Sequence, residues 1–346
     1  MKITIHSRNE RHEFEADEGQ SLLMAGLSRG YALPYACASG TCGSCSARLT
    51  AGKVEDLWSA APGKKSAAKA DEILLCQCAP RGDCEIELKQ SVARVAPEEV
   101  LPFAANGTVT RWELLTHDVA SWEIELQEPM NYQAGQFVLL ATPGLSGYRA
   151  YSIVNHERDS CRLELLIKRK PGGGLSEAYF GANQVGTAVR VMGPFGQAVF
   201  KPSQQKNLLC IAGGSGVAGM MSILSHAQEL DYFWERTGAV FFGVRSMRDT
   251  FFLERLADFA RAARGGLDVT ICISDESVSL DVAHQYPGLA FTRGLVHEVA
   301  LKQMEGRLSD VHAFLAGPPP AVDAAMRGLV LQGKLSPTCI SYDKFN

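Results

Sequence analysis

Over residues 1–90 apolar and polar positions alternate in short runs. Lys2–His6 and Arg11–Ala16 change sides residue by residue and predict a hairpin. Ser21-Leu22-Leu23-Met24-Ala25-Gly26-Leu27 shifts to a helical run with Ser21 at its cap. A cysteine-bearing loop follows, then a strand at Ser46–Leu49, a loop rich in Gly, Ala and Lys, and a closing strand at Cys84–Leu88. Strands around one helix and a long loop predict a small β-grasp. Residues 91–102 carry no period and predict a linker.

The pattern then changes twice. Val109–Leu115, Val119–Leu126, Gln136–Ala141, Ala150–Val154, Arg162–Lys168 and Ala188–Met192 recur at the intervals of an antiparallel β-barrel, with one helix starting at Ser176. From about residue 204, unbroken apolar strands alternate with helical stretches: Asn207–Ala212, Ala239–Gly243, Leu267–Ile273 and Val311–Leu315. That rhythm predicts a doubly wound parallel sheet. The expected division is a first domain over 1–92, a linker over 93–102, a barrel over 103–203 and an α/β domain over 204–346. The whole is a multidomain α+β and α/β chain, without internal repeats.

A length of 346 residues suits two or three domains. No apolar run reaches the eighteen or so residues of a membrane helix, so no integral membrane segment is expected. A net charge of −4 and the lack of a basic stripe with interleaved aromatics argue against nucleic acid. The first 92 residues, with 11 Lys/Arg against 12 Asp/Glu, are near neutral, so docking to a partner would rest on local patches. Met1–His6 has no signal-peptide stretch, which points to the cytoplasm and makes the 10 cysteines metal ligands or buried thiols rather than disulfides. Cys161, Cys210 and Cys272 sit in apolar runs and read as core packing. The 8 histidines are scattered, without metal-binding spacing, and read as surface or core.

The cysteines carry the clearest chemistry. Cys37-x4-Cys42-x2-Cys45, with Cys76 far downstream, is the plant-type spacing for a 2Fe–2S cluster. Small residues between Cys37 and Cys45 let the backbone curl and aim N–H groups at the sulfurs. Zinc would call for paired C-x2-C motifs or Cys/His mixtures, which are absent. Cys78 is a rival fourth ligand, though spacing favours Cys76. A one-electron cluster places the chain in electron transfer.

Three further motifs follow in order. On the strand Arg149-Ala150-Tyr151-Ser152, Arg149 and Tyr151 share one face and Ser152 begins the other, offering a cation, an aromatic face and a donor to a flavin. Cross-strand packing explains such a tetrapeptide equally well. Pro171-Gly172-Gly173-Gly174-Leu175-Ser176 ends in a candidate N-cap and could hold a diphosphate, or be an ordinary turn. Ala212-Gly213-Gly214-Ser215-Gly216 leaves a buried strand and opens a helix, the context of a phosphate loop, without the full G-x-G-x-x-G form. Ala316-Gly317-Pro318-Pro319-Pro320 ends a later strand, so both loops are expected at one carboxyl edge. The chain closes on Ile340-Ser341-Tyr342-Asp343-Lys344-Phe345-Asn346, a plain terminal strand or one carrying an aromatic shield.

Together with Gly193-Pro194-Phe195-Gly196, these residues resemble the ferredoxin–NADP reductase superfamily, and more closely the iron–sulfur flavoprotein reductases of bacterial multicomponent oxygenases of the toluene, xylene and methane type. The resemblance spans nearly the whole chain, in the order ferredoxin, flavin, nicotinamide. It implies that Tyr151 stacks on the isoalloxazine, Ser152 bonds near N5, and Arg149 clamps the pyrophosphate. Gly173, Gly174, Leu175 and Ser176 would line the flavin diphosphate. Gly213, Gly214, Ser215 and Gly216, with Gly317 and Pro318, would hold the nicotinamide dinucleotide. Phe345 would cover the ring, with Asp343 close by. FAD is implied rather than FMN, whose relatives usually carry the ferredoxin domain last.

Ala316 departs from the family's usual cysteine, and hydride transfer is expected to survive the change. Arg245, Ser246 and Arg248 could hold a 2′-phosphate and favour NADPH, but similar turns occur in NADH-using relatives, so NADH is expected. The implied function is a reductase that takes hydride from NADH and passes single electrons through FAD and the cluster to a di-iron hydroxylase or a Rieske ferredoxin. A reductase for a Rieske ring-hydroxylating dioxygenase or a deoxysugar-forming dehydratase would share this layout. A redox-sensing protein that binds the cofactors without turnover is the remaining alternative.

Overall fold

The computed structural model describes every residue except 67–68, 70, 97–98, 143–147, 173, 277–283 and 345–346, and every side chain among the rest except 66, 174 and 175. Alternation in β1 (Lys2–His6) buries Ile3 and Ile5, which face the core with Phe14 of the antiparallel β2 (Arg11–Glu15). Helix α1 (Leu22–Leu27) packs in the same core, and the Ser21 hydroxyl accepts a bond from the Met24 N–H at 3.2 Å. Such a cap is worth about 1 kcal/mol. β3 (Ser46–Ala51), β5 (Glu72–Leu74) and β7 (Cys84–Glu87) complete a sheet of order β2-β1-β7-β3-β5, with β7 parallel to β1. This is the expected β-grasp.

The loop expected after Leu49 holds more structure than its composition suggests. β4 (Val54–Asp56) pairs with β6 (Cys78–Pro80) as a separate two-stranded ribbon. Three-residue strands are too short to show a period, which is why they escape sequence reading. The start of the segment read as a linker is bonded down: Ala32 N–H donates to Ala93 O, and Val95 N–H to Gly30 O.

The second sheet joins β8 (Phe103–Leu114), β9 (Val119–Leu126), β10 (Phe137–Ala141), β11 (Arg149–Ser152), β12 (Arg162–Lys168) and β13 (Ala188–Phe195) in the order β11-β10-β13-β8-β9-β12. Trp122, Ile124, Leu163 and Leu165 are fully buried where β9 and β12 pair. Helix α2 (Gly174–Phe180) brings Tyr179 to 4.5 Å from the Trp122 ring. It begins two residues before the expected start, so Ser176 is not its N-cap. The Ser176 hydroxyl instead accepts from Lys170 N–H at 3.0 Å and closes the preceding turn. Cys161, expected in the core, is half-buried at the turn entering β12.

The third sheet is wholly parallel: β14 (Asn207–Gly213), β15 (Gly238–Val244), β16 (Leu267–Ile273), β17 (Leu289–Arg293), β18 (Val311–Gly317) and β19 (Ile340–Lys344), in the order β17-β16-β15-β14-β18-β19. Helices α3 (Val217–Glu229), α4 (Leu253–Ala262), α5 (Val296–Gln303) and α6 (Pro319–Leu331) connect the strands. Leu209 and Ile211 enter one apolar cluster while Leu208, Cys210 and Ala212 enter another. A strand covered on both faces needs an unbroken apolar run, the signal the sequence carried. Each fully buried Leu or Ile contributes about 1.5–3 kcal/mol. By contacts the chain divides into Met1–Gly107, Phe137–Tyr151 and Ala188–Phe195 as one unit, and Thr108–Gln136, Ser152–Thr187 and Gly196–Asn346 as another. Among the described residues, no helix is long and apolar enough to cross a membrane.

Candidate functional site

The four cysteines of the spacing motif come together as two pairs. Cys45 Sγ lies 3.3 Å from Cys76 Sγ, and the Cys37 and Cys42 thiols share a hydrogen bond. In each pair that bond lowers one thiol and raises the other. Cys37, held first by Cys42 and further by Thr41 and Ser39, falls to about 4, and Cys45 is lowered too, while Cys42 and Cys76 rise. Ser44 N–H donates to Cys42 Sγ at 3.4 Å. The surroundings leave no room for added side chains. A Cβ on Gly40, whose φ is +87°, would sit 2.8 Å from Gln77, and one on Gly63 would sit 2.7 Å from Gly43 N. A tight sulfur quartet with backbone donors suits a compact iron–sulfur cluster. The rival Cys78 is buried on β6 opposite Asp56, its thiol pushed up to about 11 by desolvation.

On β11, Arg149, Ala150 and Tyr151 are half-buried and Ser152 is buried. Arg149 is not free: its guanidinium lies 4.5 Å over the Trp58 ring, and Nη1 donates to Tyr148 O at 2.9 Å. Gly173 and Phe345 fall outside the described residues, and of Gly174 and Leu175 the backbone alone is described, opening α2.

The nucleotide loops meet where the strand order reverses, between β14 and β18. Gly213 and Gly317 end those neighbours, Gly214–Gly216 form a 3₁₀ turn into α3, and Pro318 caps α6. The approach is close: a Cβ on Gly216 would lie 2.5 Å from Ala316 O, and one on Gly317 would lie 3.0 Å from Gly213 O at a φ of +141°. A Cβ on Gly214 would meet nothing, so the loop's outer face is open, as a ligand's diphosphate needs.

Beneath these loops Ser152, Gly135, Gly219, Met220, Ala316 and Asp343 line one pocket. Asp343 pairs with Ala316 in the β18–β19 register, which brings the terminal strand to this point. Asp343 is half-buried, and desolvation of its carboxyl raises it to about 7. Gly219 of α3 lets the helix approach Ser152, whose Cβ would be 3.7 Å from an added methyl. Gly135 lies outside every motif, and Gly219 stands three residues past the Gly213–Gly216 loop.

Arg245 and Arg248 are exposed on the turn after β15. Ser246 and Asp249 cap that turn reciprocally, with Ser246 N–H and Oγ both bonded to Asp249 Oδ2 at 3.0 and 2.8 Å. Glu276 accepts from Met247 N–H on the same turn. The two arginines therefore share the turn with two carboxylates.

The scattered histidines hide one pair. His156 and His226 stack at 4.1 Å with 20° between ring planes, and His156 Nδ1 bonds Glu229 Oε2 at 2.9 Å. Their ligating atoms and that of Glu229 lie within 4.8 Å of one another. Near-parallel rings point their nitrogen lone pairs side by side, however, whereas ligands of one ion must converge. Desolvation, with His156 and Arg158 nearby, keeps His226 at about 4 and hence neutral. His156 is buried and His226 half-buried, so the stack packs the loop after Ser152 against α3.

Comparison with known proteins agrees with this division of labour. Residues 5–81 match the 2Fe-2S iron-sulfur cluster binding domain, 106–200 the oxidoreductase FAD-binding domain, and 210–327 the oxidoreductase NAD-binding domain. The ferredoxin–NAD(+) reductase component of the alkene monooxygenase system of Xanthobacter autotrophicus is 32% identical, over 97% of this chain and 99% of its own. The reductase component of phenol 2-monooxygenase from a Pseudomonas species is 31% identical, over 99% and 94%. A solved structure of the ferredoxin reductase in carbazole 1,9a-dioxygenase superposes with a TM-score of 0.82 at 29% identity, covering 100% of this chain and 99% of that one. With cluster, flavin and nicotinamide domains in one chain, the protein belongs to the three-domain iron–sulfur flavoprotein reductases of the ferredoxin–NADP reductase superfamily, oxidoreductases that use a 2Fe–2S cluster, FAD and NAD(H).

Proposed function

We propose that the chain is the NADH-dependent reductase component of a bacterial multicomponent monooxygenase, delivering electrons to a di-iron hydroxylase directly or through a Rieske ferredoxin. The observation that carries this reading is a pocket walled both by Ser152 from the flavin strand and by Ala316 and Asp343 from the nucleotide sheet. Flavin and nicotinamide would meet at its mouth. FAD supplies the exchange between a hydride's electron pair and single electrons. Ser152 would donate toward N5, Tyr151 would back the ring, and Arg149 would clamp the diphosphate with Gly173, Gly174, Leu175 and Ser176. Gly213, Gly214, Ser215, Gly216, Gly317 and Pro318 seat the dinucleotide. Asp343, with its raised pKa, would hold or release a proton beside the ring, and Phe345 would cover it. Cys37, Cys42, Cys45 and Cys76 would hold the 2Fe–2S cluster. The domains divide at 1–92, 103–203 and 204–346.

NADH is favoured over NADPH because Asp249 and Glu276 share the turn that carries Arg245 and Arg248. A 2′-phosphate would meet two carboxylates there, whereas a ribose hydroxyl can donate to one. A second reading, reductase of a Rieske dioxygenase, draws on the likeness to the carbazole dioxygenase reductase. Anaerobic titration with NADH, followed by visible absorbance and low-temperature EPR, tests the core: flavin bleaching with a rhombic cluster signal is expected. Failure with NADH but reduction by NADPH would overturn the nucleotide assignment, and no reduction by either would overturn the reductase. Reconstitution with each acceptor class separates the two oxygenase readings.

A further inference from the structure

Trp58 belongs to none of the expected motifs, yet its surroundings give it a place. The segment 57–63 is stitched to both cysteine-bearing stretches. Leu57 N–H donates to Gln77 O at 2.8 Å, next to Cys76, and Gly63 N–H donates to Gly40 O at 2.9 Å, between Cys37 and Cys42. Trp58 itself is fixed by its N–H to Asp56 Oδ1 at 3.1 Å and by its carbonyl to Ala61 N–H at 3.1 Å. From this anchored base its indole reaches the flavin strand, where the Arg149 guanidinium lies 4.5 Å above the ring. Leu57 and Tyr148, the chain neighbours of the stacked pair, line one cavity with Ala38 and Cys76.

We propose that Trp58 is the positioning residue for Arg149, a platform carried by the cluster-bearing region that presets the arginine for the FAD diphosphate. The proposal rests on the reading that Arg149 clamps that diphosphate. A guanidinium stacked by its face keeps its in-plane N–H donors for a phosphate, and an arginine already immobilised loses less freedom when the phosphate arrives. The contact also ties flavin affinity to the segment that packs on the cysteine loop, so the two cofactor sites share a support.

The test uses full-length protein stripped of flavin but retaining its cluster, titrated with FAD and, separately, with riboflavin, which lacks the phosphates. Trp58→Leu is expected to weaken FAD binding about three- to thirtyfold, the range of a cation–π contact, and to leave riboflavin binding unchanged. Trp58→Tyr, which keeps an aromatic face, should recover most of the loss. Adding Trp58→Leu to Arg149→Ala should cost nothing more, since the platform acts through the arginine. Visible circular dichroism of the cluster should be the same throughout, as a general loosening would not allow. If Arg149→Ala weakens FAD and riboflavin alike, the diphosphate reading fails and takes the proposal with it. If Arg149→Ala is selective for FAD while Trp58→Leu binds FAD as well as the parent or more tightly, the Trp58 proposal alone is overturned. An additive double variant overturns it too.

Discussion

At the scale of single residues, Asp343 is the group with the most to reveal. Its carboxyl, raised to about 7 by desolvation, stays protonated in the folded protein over a range where the unfolded chain has already released the proton. The folded state then binds more protons than the unfolded one, so stability falls as pH rises. The contribution is complete below the ordinary carboxyl range near 4 and is gone once pH passes about 7. In flavin-free protein the thermal midpoint should therefore decline between those limits, and Asp343→Asn should flatten the decline and leave the variant more stable at pH 8. A midpoint profile of the variant parallel to the parent's would show that the carboxyl is solvated. The family resemblance alone brings Asp343 forward from the sequence. Its altered acidity was not legible there, because enclosure by Gly219, Met220 and Ala316 comes from elements distant along the chain.

At the scale of elements, two loops at the carboxyl edge of the parallel sheet depend on each other. Gly216 opens the path into α3 with its α-hydrogen facing Ala316 O, and a methyl there would stand 2.5 Å from that oxygen. Backbone is on both sides, so neither can swing away. Gly216→Ala should cost about 1–3 kcal/mol by denaturant unfolding and raise the KM for NADH at least tenfold, with FAD content preserved. The turn after β15 gives a second prediction. Asp249→Asn removes a carboxylate while keeping an oxygen for the Ser246 cap. NADPH use should then improve relative to NADH by about five- to twentyfold in kcat/KM, in line with the loss of one like-charge contact. Unchanged discrimination would place the ribose elsewhere. These loops were readable in advance because apolar run, glycines and helix follow one another within a few residues. The three-residue strands β4 and β6 were not, nor was the stack of Trp58 on Arg149, since each depends on a partner far along the chain. Ser176 shows a subtler limit: its type suits an N-cap, but the glycines before it let the helix begin earlier, and the hydroxyl serves the Lys170 turn instead.

At the scale of the whole molecule, the order of cofactor domains predicts where activity can be cut. Hydride enters at the nicotinamide end and single electrons leave at the cluster end, with FAD between them. An acceptor that takes electrons from flavin, such as ferricyanide, does not need the cluster, while a protein acceptor served by the cluster does. Cys76 belongs to the sulfur quartet by its 3.3 Å approach to Cys45, whereas Cys78 sits on β6 against Asp56. Cys76→Ser should therefore abolish the rhombic EPR signal and lower electron delivery to the oxygenase partner at least a hundredfold. It should leave NADH–ferricyanide turnover within about threefold of the parent, because a serine oxygen is a poor substitute for thiolate toward iron but the flavin and nucleotide pocket is untouched. Cys78→Ser should retain both activities and the signal, at a modest cost from placing a hydroxyl in a buried site. The reverse pattern, with the signal lost in Cys78→Ser and kept in Cys76→Ser, would move the fourth ligand by two residues. Loss of both activities in Cys76→Ser would mean that the flavin site itself depends on an intact cluster, a dependence the Trp58 platform gives a physical route. In a Trp58→Leu background that route is cut, so Cys76→Ser should cause no further loss of ferricyanide turnover.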